Sequence, residues 1–233
     1  MEETFSIDII SDLNLDKSDI FDWTGQPTSL FCLVAGGISQ DIDVVRITLE
    51  HLSTMYRGVF YIDGILEHNS AFDVDGRIEQ LHDICKSINN VIYMHNHVVI
   101  LNGVALVAAN GWFVNKSEDE SLFSSDQIEV LRTNDLGYLT NTIRGLQRHK
   151  DAKKIVVMSS CAPSQYLMYD QNDNLLGQKL EPALSLLMDS KNKVSTWVFG
   201  GSQLMVDTVM SDRRFVNNPK VDGQPYWPKR ILI

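Results

Sequence analysis

Apolar and polar positions along this chain follow two alternating periods. Phe5 to Ile10 reads as a first strand, and the apolar runs Leu30 to Ala35 and Val59 to Ile62 predict buried strands. Between the second and third, Ser39 to Tyr56 carries Ile42, Val45, Leu49 and Leu52 at helical spacing, with Ser39 or Asp41 as N-cap. Arg77 to Ile88 is a second helix, with Ile78, Leu81, Ile84 and Cys85 on one face. A strand-rich passage follows: Val91 to Tyr93, Val98 to Leu101 and Val104 to Ala108, broken by turns at His95-Asn96 and Asn102-Gly103. The Asn-Gly pair is a strong hairpin signal. Gln127 to Lys150 reads as helix, and Ile155 to Met158, Thr196 to Phe199 and Leu204 to Val209 return to strand. That order predicts an α/β architecture with helices outside the sheet. No repeat, low-complexity tract or Pro/Gly/Ser linker interrupts it, so residues 1–233 are expected to form one domain.

Charge narrows the range of partners. The net charge is −10 and the pI about 5.0, with Lys150, Lys153 and Lys154 the one basic cluster. Such a surface repels phosphate backbones and disfavours nucleic acid as a partner. The three cysteines, Cys32, Cys85 and Cys161, lack Cys-x-x-Cys spacing and suggest free thiols in a reducing compartment. The acidic start, Met1-Glu2-Glu3-Thr4, has no signal-peptide pattern, and no apolar run reaches the length of a membrane helix. The expected location is cytoplasmic.

Five strand-to-loop junctions carry the chemical question: Ser11-Asp12-Leu13-Asn14, Ala35-Gly36-Gly37-Ile38, Asp63-Gly64-Ile65-Leu66-Glu67, Ser159-Ser160-Cys161-Ala162-Pro163 and Phe199-Gly200-Gly201-Ser202-Gln203. In order, spacing and flanking apolar runs they resemble the calcineurin-like metallophosphoesterases. That family reads Asp-x-His, Gly-Asp, Gly-Asn-His-Asp/Glu, a His before Ala-Pro, and Gly-His-x-His at these places. The closing Asn217-Asn218-Pro219 is similar to the family's Asn-Pro ending, whereas Lys220 to Ile233 matches no pattern.

The resemblance implies a calcineurin-like phosphoesterase sandwich of two mixed β-sheets flanked by helices. It also implies a binuclear Mn/Fe/Zn centre, in which a bridging Asp and several His ligands activate water and clamp phosphate. Carried over position by position, only the first Asp survives, as Asp12. Its His partner falls on Asn14, the bridging Asp on Gly37, and the Asn and catalytic His on Ile65 and Leu66. The remaining histidines fall on Ser160, Gly201 and Gln203. Without them, nothing offsets the repulsion of two dications about 4 Å apart. The expectation is a catalytically inactive member with no cofactor, acting in binding or assembly with a protein partner or a second copy. The alternatives are capture of a nucleotide or phosphorylated metabolite, or residual metal-dependent hydrolysis. A compact frame stripped of its ligands also suits a bacteriophage-encoded protein of the host cytoplasm.

Several residues invite competing readings. Asp12, Asn14, Glu67 and His68 could rebuild a weak single-cation site, but a surface position for His68 is expected. Cys161 is expected to be a buried, inert thiol for want of an adjacent base. Asp135-Leu136-Gly137 and Asp222-Gly223 are expected to break or turn the chain. Asp22-Trp23, Trp112-Phe113 and Pro225-Tyr226-Trp227-Pro228 are aromatic segments suited to an interface if exposed. The apolar end Arg230-Ile231-Leu232-Ile233 is expected to dock on its own sheet or on a neighbour.

Overall fold

The computed structural model describes residues 5–19, 25–69, 73–112, 124–164, 167 and 192–233. Two sheets form a sandwich. In the first, β1 (Ser6–Ile10), β2 (Phe31–Ala35), β3 (Gly58–Ile62) and β4 (Val91–Tyr93) run parallel, and β11 (Lys229–Leu232) pairs antiparallel with β1. The second runs in the order β5 (His97–Leu101), β6 (Val104–Ala108), β7 (Lys154–Ser159), β8 (Val194–Phe199), β10 (Arg213–Asn217), β9 (Val206–Met210). Its outer pairs, β5 with β6 and β9 with β10, are antiparallel, so both sheets are mixed.

Strand alternation divides the core into layers. Ile7, Ile9, Leu33, Phe60 and Ile62 of the first sheet meet Leu106, Val156, Met158, Val198 and Val216 of the second. The opposite face of the first sheet is covered by α1 (Ile42–Met55) and α3 (Val74–Ser87) through Val45, Leu49, Leu52, Leu81 and Cys85. The outer face of the second sheet packs on α4 (Ser125–Arg148) through Leu139, Ile143 and Leu146. Each such side chain, fully buried, contributes roughly 1.5–3 kcal/mol. Asp41 caps α1 by accepting from Asp43 N, which decides between the two candidate caps.

The predicted elements recur with shifted ends, α3 starting three residues early and β9 starting two residues late. Three differences have physical causes. A one-turn helix, α2 (Ile65–His68), stands where a loop was expected, because Glu67 turns back to accept from Gly64 N at 2.8 Å. Asp135 to Gly137 does not break the chain but lies inside α4. Asp135 is buried and bonded from below, and a side chain at Gly137 would meet open space. Asp222-Gly223 does turn, with Gly223 at φ +72°.

The segment 220–233, which matched no pattern, is stitched to the first sheet. Asn218 Nδ2 donates to Ile9 O, Tyr226 Oη and Trp227 O, while the Tyr226 hydroxyl donates to Asn218 O at 2.7 Å. The apolar end is thus an edge strand of the chain's own sheet. Trp112 and Tyr226 are buried and Trp227 is exposed; Trp23 and Phe113 lie outside the described residues. Among the described residues no helix is long and apolar enough to cross a membrane.

Candidate functional site

The five junctions converge at the carboxyl ends of the parallel strands, the usual place for a site in an open α/β sheet. Asp12, at φ 47° just beyond β1, points its carboxyl at the β8 loop, where Gly201 N donates to Oδ1 at 2.7 Å. Its other oxygen, Oδ2, is buried and accepts no hydrogen bond from a described residue. Burial outweighs the backbone bond and raises the Asp12 carboxyl to about 8. Asn14 turns outward to solvent, its amide donating back to Asp12 O at 3.1 Å.

Glycines fill the space between these loops. A Cβ at Gly37 would lie 2.8 Å from Asp12 Cα and 2.9 Å from Asp12 Oδ1, and one at Gly200 would lie 2.0 Å from Ala35 O. Gly37 and Gly201 also hold φ near +72°, a region costly for other residues. The backbones therefore occupy the volume that side-chain ligands would need. Ser160 is buried, and its hydroxyl has Asn110 O, at 3.0 Å, and Asn110 Oδ1 as acceptors within reach of its one hydrogen. Ile65 and Leu66 are half-buried, Ile65 against the α4 layer, and Gln203 is exposed.

Glu67 and His68 do not join Asp12 in a cation site. Both Glu67 oxygens are taken by backbone: Ile38 N at 2.7 Å on Oε1, Gly64 N at 2.8 Å and Gly37 N at 3.2 Å on Oε2. Burial raises this carboxyl to about 7 in spite of those donors. His68 is fully buried rather than at the surface, its Nε2 2.6 Å from Asp63 Oδ2 and its ring edge-on to Trp112. The Trp112 ring and the Asp63 carboxylate account for its burial.

Sequence reasoning missed the cluster to which His68 belongs. Asp63 accepts from Tyr93 Oη at 2.6 Å and Asn110 Nδ2 at 2.8 Å as well as facing His68, and His95 Nδ1 stands 3.9 Å away. Burial alone would raise Asp63, but the His68 bond, the two imidazoles and Tyr93 hold it below the ordinary carboxylate range. Behind it, Asp135 accepts from Gly111 N at 2.7 Å and Asn96 Nδ2 at 3.1 Å. One signal was available: Asp135 interrupts the apolar stripe Ile128, Leu139, Ile143, Leu146 of α4 at a core position. Beside the cluster, a groove of about 590 Å³ is lined by His82, Cys85, Lys86, Tyr93, His95 and His97, among others. None of the family's ligand positions lines it.

The chemistry open to these groups is narrow. All six histidines lie among the described residues, and none stands at the five junctions' ligand positions. Among the described residues no three His, Cys, Asp or Glu side chains are grouped as metal ligands would be. The donor set does not fit a two-cation centre. Cys161 faces Asn110 O and Gly111 O at 3.3 and 3.4 Å, and burial raises its thiol well above the usual range, which disfavours the thiolate.

No family model and no curated protein matches the sequence. Solved structures do. Phosphopantetheinyl hydrolase (PptH) from Mycobacterium tuberculosis superposes with a TM-score of 0.66 at 15% identity, over 94% of this chain and 90% of that one. A Staphylococcus aureus protein assigned as a 5′-nucleotidase, in complex with alpha-ketoglutarate, superposes with a TM-score of 0.55 at 12% identity. The match covers 93% of this chain and 49% of the nucleotidase, so this chain spans about half of that protein. The sandwich of two mixed sheets flanked by helices is the fold these metallophosphoesterase-type structures share with this chain. At these identities the likeness concerns the fold alone, and activity must be argued from the site.

Proposed function

We propose that this chain is a phosphoesterase-fold protein that has given up metal-dependent hydrolysis and works as a protein-binding or assembly module. One observation carries the reading: all three junction carboxylates are engaged by the protein itself, Asp63 by side chains and Asp12 and Glu67 by backbone N–H groups. Glu67 holds three N–H groups of the Gly37 and Gly64 loops, and Asp12 holds Gly201 N. Glycine Cα atoms pack where ligand side chains would stand. The same bonds weigh against capture of a phosphorylated metabolite, because the N–H groups that would cradle phosphate are already satisfied. Both structural neighbours are named for chemistry on phosphorylated compounds, and that history fits a fold retained after its centre was lost.

The test is Mn²⁺-dependent release of nitrophenol from bis(p-nitrophenyl) phosphate, compared between the wild type and Asp12→Ala. The expected outcome is no release above buffer from either. Turnover in the wild type that disappears in Asp12→Ala would overturn the proposal.

A further inference from the structure

The assembly reading leaves open which surface assembles and with what. Among the described residues the sandwich has four edge strands: β11 and β4 on the first sheet, β5 and β9 on the second. An open edge pairs with other strands unless something blunts it. β4 is only three residues long. β11 carries the exposed Arg230, whereas its Lys229 is turned onto Asp207. On β5, Val98 to Leu101 are each part-buried, and the one exposed residue is His97. Only β9 lacks such protection. Among the described residues it pairs with β10 on one side and with no strand on the other. Val209 is 67% exposed and Met205, just before the strand, 62%. Its one charge, Asp207, is turned onto Arg214 at 2.8 and 3.0 Å and onto Lys229 at 3.0 Å, and does not guard the edge.

The strand Val206-Asp207-Thr208-Val209-Met210 also complements itself. Antiparallel pairing with its own copy about Thr208 sets Thr208 on Thr208, Val206 on Met210 and Asp207 on Val209. The two like charges are never opposed, and the β-branched and aliphatic pairs are of the kind that stabilise sheets. A two-fold axis makes this contact closed and isologous. The chain's −10 charge opposes association in general. At this edge the one acidic side chain of the strand is neutralised locally, since Arg214 and Lys229 both pair with Asp207. The small area of a strand-to-strand contact makes the pair weak and concentration-dependent. We infer that β9 pairs antiparallel with β9 of a second copy about Thr208, joining two six-stranded sheets into one. This rests on the proposed assembly role, and a second copy is the partner it names.

Disulfide trapping of the full chain tests the register directly. The native cysteines are buried at 0–2% exposure and do not compete. Residues opposed in an antiparallel pair have Cα atoms about 4.5–5.5 Å apart, within the range of about 4.4–6.8 Å that a disulfide bridges. Under a mild oxidant, Thr208→Cys is expected to give at least about tenfold more reducible dimer than Val206→Cys, whose copies would stand about 14 Å apart. Val209→Glu, an exposed change opposite Asp207 of the second copy, is expected to leave the thermal melt unchanged and to abolish dimer in sedimentation. Equal trapping at both cysteine positions, trapping at neither, or a dimer surviving Val209→Glu would overturn the inference. Phosphodiester turnover by a chain that still traps through Thr208→Cys would sink the non-catalytic reading and leave the interface standing.

Discussion

Two buried carboxylates, Asp12 and Asp63, sit at the carboxyl ends of β1 and β3, parallel strands on either side of β2, and behave in opposite ways. Asp12 accepts from Gly201 N on one oxygen, its other oxygen is buried without a geometric hydrogen bond from a described residue, and burial raises it to about 8. Asp63 gathers Tyr93, Asn110 and His68, and they hold it below the ordinary range although it is as deeply buried. The difference lies in partners rather than depth. Polar side chains have built a satisfied network around Asp63. At Asp12, glycine backbones have closed over a carboxyl that retains little to do.

Removing each carboxylate separates the two cases most sharply. Asp63→Ala strips the acceptor from three buried polar groups and should cost about 3–5 kcal/mol in urea unfolding. A loss under about 1 kcal/mol would mean the network is not the structural centre of this end of the sandwich. Restoring the family's bridging residue should also be costly. Gly37→Asp forces a Cβ against Asp12 at positive φ, with an expected loss of about 2–3 kcal/mol and no gain of Mn²⁺ affinity. A stable variant that binds Mn²⁺ would show that the loops can reopen.

The pH dependence carries both signs. Folded Asp12 and Glu67 keep protons up to about 8 and about 7 that the unfolded chain releases near 3.8 and 4.5. Rising pH through that interval therefore favours unfolding, on the order of 1 kcal/mol for each pH unit. Asp63, held low, contributes stability that is lost only as pH falls below about 4. Stability should pass through a maximum at mildly acid pH, and Asp12→Asn should flatten the alkaline limb. A melting temperature that climbs steadily from pH 5 to 8.5 would contradict the raised values. The smallest effect concerns the sandwich edge. Arg214 first, then Lys229, draws Asp207 down to about 2, and Asp207→Ala should cost about 1 kcal/mol.

Much of the frame was legible because strand and helix periods are local. The runs at Leu33, Tyr61 and Val156, and the stripe Val45, Leu49, Leu52, predict their own burial. The convergence of the five junctions came from resemblance, since nothing local brings Asp12 to Gly201, 189 positions away. The long-range polar pairs stayed hidden for the same reason. Asp63, Tyr93 and Asn110 are spread over separate elements and share no spacing. His68 looked like a surface residue because its partner lies behind it in space, although only five positions before it in sequence. The docking of the apolar end on its own sheet was one of two readings open in the sequence, and the path to it was not legible because Asn218 and Tyr226, not apolar pattern, fix its course.

The measurement that tests the central claim most directly is calorimetric titration of the purified, chelator-treated protein with Mn²⁺. The account predicts no stoichiometric binding up to millimolar metal, since Glu67 and Asp12 are committed to backbone and no histidine stands at the junctions. Micromolar binding of one or two ions per chain, lost in Asp12→Ala, would contradict it and make this a working metal site.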